Sequence, residues 1–69
     1  MRLSIRNQLP GKVAAIRPGS VMTIVKVELD GGQTVTSSIT KEAAEELELK
    51  VGSRVTVLVK STEVMLGVD

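Results

Sequence analysis

Alternating apolar and polar residues dominate the chain and predict a protein built mainly from β-strands. In the run Val21–Leu29, every second side chain is apolar or Thr, and both charged residues of the run stand between them. Side chains of a strand alternate between its two faces, so this run has one apolar face. Asp30-Gly31-Gly32 follows, and paired glycines supply the positive φ angles of a tight turn. We therefore expect Gln33–Thr40 to pair antiparallel with Val21–Leu29.

Proline and glycine divide the N-terminal part of the chain into shorter pieces. A leading strand is predicted around Leu3–Asn7, and Leu9-Pro10-Gly11 is expected to break the chain before a second strand at Lys12–Arg17. Pro18-Gly19 then marks the turn into the long alternating run. Because the break separates the leading strand from the rest, this strand either folds back on its own sheet or crosses to a neighbouring chain.

The pattern changes over Lys41–Leu49, where a short helix is predicted. Good helix formers fill this segment, and Thr40 stands at the N-cap position before it. Val51-Gly52 ends the helical pattern, Arg54–Lys60 returns to β alternation, and a last apolar run covers Val64–Val68. The order of elements predicts an all-β fold with one short helix, an OB-fold-like five-stranded Greek-key barrel. Residues 1–69 are expected to form this single domain.

The small size of the chain limits the core that it can build. A domain of 69 residues buries only about 60% of the surface of its unfolded chain, and Met22 and Met65 are expected to help fill its core. The chain has no Cys for a disulfide and neither Cys nor His for a zinc site. Subunit association or a bound ligand is therefore expected to supply stability.

The missing residue types also exclude several functions. Without His and Cys, no Ser-His-Asp or Cys-His triad is possible, so we expect no enzyme activity. Without aromatic residues, the stacking platforms of single-stranded nucleic-acid binders are absent. No apolar run reaches the length of a membrane span and no signal peptide opens the chain, which predicts a cytoplasmic protein.

Charge is unevenly distributed, although the net charge is only +1. All eight acidic residues follow position 26, whereas the first 26 residues carry five cations: Arg2, Arg6, Lys12, Arg17 and Lys26. Such asymmetry is typical of an anion-binding half, although single cations on strand faces most often serve only solubility. The Glu residues of the predicted helix spread around it and are interpreted as its solvated face rather than as a cation site.

Three small clusters of hydrogen-bond donors are candidates for anion binding. Ser4 and Arg6 share one face of the leading strand, and a guanidinium group suits an oxyanion. Thr40 and the amide of Ala43 lie at the start of the helix, where the first amides lack helical partners, although plain N-capping by Thr40 is the simpler explanation of this cluster. Lys60 and Ser61 follow the last long strand, where Lys60 also suits a solvated edge position. Together the clusters favour a small multivalent anion over a metal cation.

Four stretches of the chain resemble the Mop domain, a molybdate-binding domain whose free-standing form is called molbindin. They are S-I-R-N-Q-L-P-G-K-V at 4–13, I-T-K-E-A-A-E-E-L at 39–47, L-K-V-G at 49–52 and V-K-S-T-E-V-M at 59–65. The resemblance implies an OB-like fold, exchange of the N-terminal strand within a dimer, and a homohexamer built as a trimer of dimers. It also implies that molybdate or tungstate is the bound ligand, held between subunits.

The resemblance assigns the interface site to the same donor clusters. Ser4 and Arg6 of one subunit would face Thr40, Ala43, Lys60 and Ser61 of another. Position 43 departs from the family, which often has Ser there, so the site would rely on the Ala43 backbone amide. The leading hypothesis is a cytoplasmic molybdate or tungstate protein for storage or homeostasis, without direct ligation of a cation. Alternatives are an OB-fold nucleic-acid-binding module and a regulatory module that acts with a partner.

Overall fold

The computed structural model describes residues 1–69, which form one antiparallel sheet and a short helix. The elements in chain order are β1 (Asn7–Pro18), β2 (Met22–Leu29), β3 (Thr34–Thr40), α1 (Lys41–Glu46), β4 (Arg54–Val59) and a single 3₁₀ turn (Ser61–Glu63). Neither helical segment is long enough and apolar enough to cross a membrane.

The strand order confirms the all-β fold with one helix but corrects the number of strands. The sheet has four strands in the order β3-β2-β1-β4, and every pair is antiparallel. Three strands joined in sequence, with a fourth that returns to lie beside the first, make a Greek key. The predicted fifth strand is wrong, since neither Leu3–Asn7 nor Val64–Val68 pairs as a strand and only Asn7 enters β1.

The predicted break at Leu9-Pro10-Gly11 is also wrong, because β1 runs through it without interruption. The N–H and C=O groups of one strand residue point to the same side. The Pro10 carbonyl accepts the Asp30 amide at 3.0 Å, beyond the end of β2, while β4 lies on the other side of β1. The N–H group that proline lacks would therefore have faced away from the ladder between β1 and β4.

Gly11 allows the two hairpin strands to approach closely. It pairs with both Leu29 of β2 and Val55 of β4. A Cβ atom at this position would lie 2.5 Å from the carbonyl oxygen of Glu28 and 3.0 Å from the Cα of Leu29. Gly11, which sequence patterns assign to a turn, thus lies in the middle of the sheet.

The hairpin and the helix follow the prediction closely. Leu29 and Gln33 close the β2–β3 turn through a 2.7 Å backbone hydrogen bond, and Gly32 has a φ of 97°. Helix α1 begins after Thr40 as predicted but ends at Glu46, three residues earlier than expected. Glu48 adopts a φ of 52°, and the Leu49 amide donates back to the Ala44 carbonyl, which terminates the helix.

The core lies on one side of the sheet and is small. Val13, Val25 and Val27 are its fully buried apolar residues, and six half-buried side chains pack around them: Ile16, Leu29, Ile39, Leu49, Val55 and Val57. The edge strands β3 and β4 both line an apolar cavity of about 440 Å³. We call this region, bordered by β3 and β4 and reaching inward to Val25 and Val27, the open side; the opposite half around Val13 is the covered side.

Both methionines that were expected in the core lie outside it. Met22 is 43% exposed and Met65 is 91% exposed. Met22 belongs to the outer face of β2, because the register pairs Thr23 of the inner face with Ile39 and Met22 with Thr40. Their exposure leaves apolar surface that the isolated chain does not cover.

Candidate functional site

The candidate donors of β3, α1 and β4 border the open side. Ile39 and Leu58 line the same cavity. Thr40 directly follows Ile39 and begins α1, while Lys60 follows the end of β4 and starts the 3₁₀ turn that contains Ser61. Both edge strands line one cavity, but their ends lie at opposite ends of the sheet. Thr40 pairs with Met22 near the Pro18 end of β1, whereas Lys60 follows Val59, which pairs with Asn7 at the start of β1. The single chain therefore does not bring these two donor clusters together.

The N-terminal segment that carries Ser4 and Arg6 meets the end of β4 at Asn7. Asn7 pairs with Val59 in the β1–β4 ladder, and its Nδ2 atom donates to the Val59 carbonyl at 3.1 Å. Arg6 directly precedes β1 and Lys60 directly follows β4, so both stand next to this last pair of the ladder. Met1 lines the cavity of the open side, so the segment that carries Ser4 and Arg6 runs between this cavity and β1. Asn7 is not among the site residues predicted from the sequence; its only signal there is its place directly after Arg6.

Thr40 and Ala43 are joined by a hydrogen bond. The Ala43 amide donates to Thr40 Oγ1 at 3.0 Å, which is the N-cap bond expected from sequence. The hydroxyl oxygen of Thr40 acts as the acceptor, so its hydrogen is free to donate to another group. The Ala43 amide, by contrast, is already used inside the chain.

Arg6 and Lys60 have no carboxylate partner. The ion pair of the structure joins Arg54 to Asp30, with Arg54 Nη1 2.9 Å from Asp30 Oδ1 and Nη2 3.1 Å from Oδ2. This hydrogen-bonded pair lowers the pKa of Asp30 and lies at the start of β4, away from Lys60. The two cations of the site are thus available to an external anion.

The candidate site is open to solvent and contains donors rather than metal ligands. Five of its residues are exposed and Ala43 is half-buried: Ser4, Arg6, Thr40, Lys60 and Ser61 form the exposed set. No group of His, Cys, Asp or Glu side chains comes together as a metal ion requires. Hydroxyl, ammonium and guanidinium groups can all donate to one oxyanion, and such charge-assisted bonds strengthen when water is excluded.

Comparison with known proteins gives consistent results across sequence and structure. The TOBE domain profile matches residues 3–66. The chain is 44% identical over 69 residues to a probable molybdenum-pterin-binding protein of Haemophilus influenzae, covering 100% of both chains. It is 46% identical over 66 residues to molybdenum-pterin-binding protein 2 of Clostridium pasteurianum, covering 96% of this chain and 97% of that protein.

Two solved structures share the fold. MopII from Clostridium pasteurianum superposes with a TM-score of 0.93 at 43% identity, covering 97% of this chain and 100% of MopII. The cytoplasmic molybdate-binding protein ModG, solved with molybdate bound, superposes with a TM-score of 0.95 at 45% identity, covering 100% of this chain and 49% of ModG. With its Greek-key sheet and its whole length matched, this chain belongs to the TOBE domain family, in the branch of the molybdenum-pterin-binding (Mop) proteins.

Proposed function

We propose that this protein binds molybdate or tungstate and acts in the storage or homeostasis of the metal. The observation that carries the proposal is the pair of exposed cations without carboxylate partners, Arg6 and Lys60, which flank the paired ends of β1 and β4. A tetrahedral dianion accepts hydrogen bonds on all of its oxygens, which suits a site made only of donors. The names of the relatives, among them the molybdate-binding ModG, support this ligand class.

The proposed mechanism is binding without a chemical reaction. Arg6 and Lys60 neutralise the charge of the anion, and Ser4, Thr40 and Ser61 donate hydroxyl hydrogens. Ala43 contributes its amide only if this N–H is shared between Thr40 Oγ1 and the anion. Each charge-assisted bond is worth about 1.5 to 3 kcal/mol, and no step needs an acid, a base or a nucleophile.

The site is proposed to form between subunits, with Ser4 and Arg6 of one chain facing Thr40, Ala43, Lys60 and Ser61 of another. Its exposure in a single chain supports this arrangement, since an anion held there alone would keep most of its hydration. The open side supports it as well: the apolar cavity between β3 and β4 has room for a fifth strand, and the N-terminal segment of a second copy is proposed to fill it. A homohexamer built as a trimer of dimers would result.

A cytoplasmic location is proposed because the related ModG is described as cytoplasmic. Residues 1–69 are proposed to act as one Mop domain.

Calorimetric titration with molybdate tests the proposed site. Arg6→Ala should weaken binding at least tenfold, because it removes a charge-assisted bond, which is worth about 1.5 to 3 kcal/mol. Arg54→Ala is the matched control, since it removes the same group from the other end of β4, where Asp30 already neutralises it. Equal affinities of both variants would place the site elsewhere, and no heat at millimolar molybdate would refute the function.

A further inference from the structure

An uncovered cleft lies at the closed end of the β1–β2 hairpin. It has a volume of about 310 Å³, and we call it the hairpin cleft; its walls are Ala15, Ile16, Arg17, Pro18, Ile24 and Lys26. The neighbouring Val21 and Met22 at the same end of the hairpin are 69% and 43% exposed. Carbon atoms thus dominate this surface, although water surrounds it in the isolated chain.

Two cations border the hairpin cleft without an anionic partner. The register pairs Ala15 with Lys26 and Arg17 with Ile24, so Arg17 and Lys26 are diagonal neighbours on the outer face. The Lys26 ammonium group donates to Thr36 Oγ1 at 2.7 Å, and neither cation takes part in an ion pair. The next acid along β2, Glu28, stands opposite Lys12 instead. The cleft therefore has apolar walls and two unpaired cations, Arg17 and Lys26, at its border.

The C-terminal residues have the complementary character. We call residues 64–69 the tail; it has no secondary structure, and its one backbone hydrogen bond joins the Val64 amide to the Ser61 carbonyl. Leu66 is 93% exposed and Val68 is 100% exposed, next to the exposed Met65. Asp69 is the tail's acidic side chain. An apolar run with this exposure is an interaction surface rather than part of a core.

We propose that the tail of one copy of this chain docks in the hairpin cleft of a second copy. The apolar side chains of Met65, Leu66 and Val68 cover the walls of the cleft, and the Asp69 carboxylate lies between Arg17 and Lys26. The contact forms between chains, because Met65, Leu66 and Val68 are 91–100% exposed in their own chain. Docking within one chain is also unfavourable, because the tail follows β4, which ends beside Asn7. The cleft lies at the opposite end of β1, near Pro18.

The tail and the cleft are different surfaces, so the contact between copies is head-to-tail. An interface between two different surfaces builds a ring when the rotation between copies closes. The interface at the open side and the oxyanion site use neither Arg17 nor the tail. Tail docking therefore joins units in addition to the proposed strand exchange, and its failure leaves the molybdate proposal intact.

Sedimentation velocity of the full-length protein tests the docking. Leu66→Asp should leave the fold unchanged, because this side chain is 93% exposed in its own chain, and it should weaken the assembly at least tenfold. The double variant R17E/K26E should do the same, and adding Asp69→Lys to it should restore the wild-type mass. Lys12→Glu, on the same face but outside the cleft, is the control that should keep that mass.

Either of two results would overturn the proposal. The first is an unchanged mass for both Leu66→Asp and R17E/K26E, which would assign the cleft to a different partner, such as a small organic anion or another protein. The second is a failure of Asp69→Lys to restore the assembly of R17E/K26E. Calorimetry with molybdate, run on the same variants, separates either result from a loss of the oxyanion site.

A peptide of residues 61–69 locates the contact directly. Added to the Leu66→Asp variant with labelled isoleucine methyl groups, it should shift the NMR signals of Ile16 and Ile24 and leave that of Ile39 in place. Shifts confined to Ile39 would place the tail in the open side and contradict docking in the cleft.

Discussion

The covered side and the open side of the sheet differ in how far the chain completes them by itself. On the covered side, β1 pairs with strands on both of its edges, and Val13 is 1% exposed. On the open side, β3 and β4 each keep one unpaired edge and leave an apolar cavity between them. An unpaired strand edge beside apolar surface favours the addition of another strand. One half of the molecule thus completes its own strand pairing, while the other half offers unpaired edges to the proposed second chain.

Truncation of one valine on each side gives the largest expected effect. Val13 is 1% exposed and belongs to the buried cluster of the covered side, whereas Val57 is half-buried at the open side. Val13→Ala should lower the free energy of unfolding by about 2 kcal/mol, and Val57→Ala by about 1 kcal/mol in dilute protein. Urea unfolding followed by circular dichroism measures both. Equal losses at low concentration would break the distinction between the two sides.

A serine at position 43 tests whether this residue belongs to the proposed oxyanion site. Because the Ala43 amide is held by Thr40, a hydroxyl here adds a donor that the present chain lacks. Ala43→Ser should tighten molybdate binding by about 1.5 kcal/mol, roughly tenfold. Calorimetry measures the change, and Ala44→Ser is a control on the next residue of α1. No gain from Ala43→Ser would exclude this position from the site.

One buried hydroxyl group of the core lacks a hydrogen-bond partner. Thr23 is 1% exposed, and its Oγ1 atom has no hydrogen-bond partner. Thr23→Val keeps the shape of the side chain and removes the cost of the unpaired group, so stability should rise by about 1 kcal/mol. Thermal unfolding tests this; a destabilised variant would mean that the hydroxyl group finds a partner in solution.

Removal of the ion pair between Asp30 and Arg54 has the smallest expected effect, which is a change in the pH dependence of stability. Its hydrogen bond lowers the pKa of Asp30 below the usual 3.8. A carboxylate with a lowered pKa in the folded state stabilises the fold above 3.8, and this contribution disappears as the pH falls through the lowered value. Unfolding between pH 5 and 2 should therefore show a slightly shallower acid dependence in Asp30→Asn. Identical pH profiles would mean that the pair does not affect folding, as is common for exposed pairs.

Local patterns predicted the fold where neighbouring residues determine it. The alternation of β2, the Asp30-Gly31-Gly32 turn and the Thr40 cap are all confirmed, since each depends on contacts within a few residues. Pro10 was interpreted wrongly, because its effect depends on which edge of β1 is paired. The apolar run at 64–68 was assigned to a strand, but composition alone does not say whether such a run pairs inside its own chain.

The candidate site was predictable by residue type but not by geometry. Arg6, Lys60 and Thr40 are predicted from the sequence as donors. The structure places Arg6 and Lys60 next to the paired ends of β1 and β4, and Thr40 at the other end of the sheet, where it pairs with Met22. The pairing of Asn7 with Val59, next to which Arg6 and Lys60 stand in the chain, depends on strand register across most of the chain. The engagement of the Ala43 amide by Thr40 likewise required the helix geometry.

The most direct test of the proposed intersubunit site is the position of molybdenum in a crystal soaked with molybdate, located by anomalous scattering at its absorption edge. The account predicts a peak within hydrogen-bond distance of Arg6 of one chain and of Lys60 and Thr40 of another. A peak surrounded by residues of a single chain, or one distant from Arg6, would contradict it.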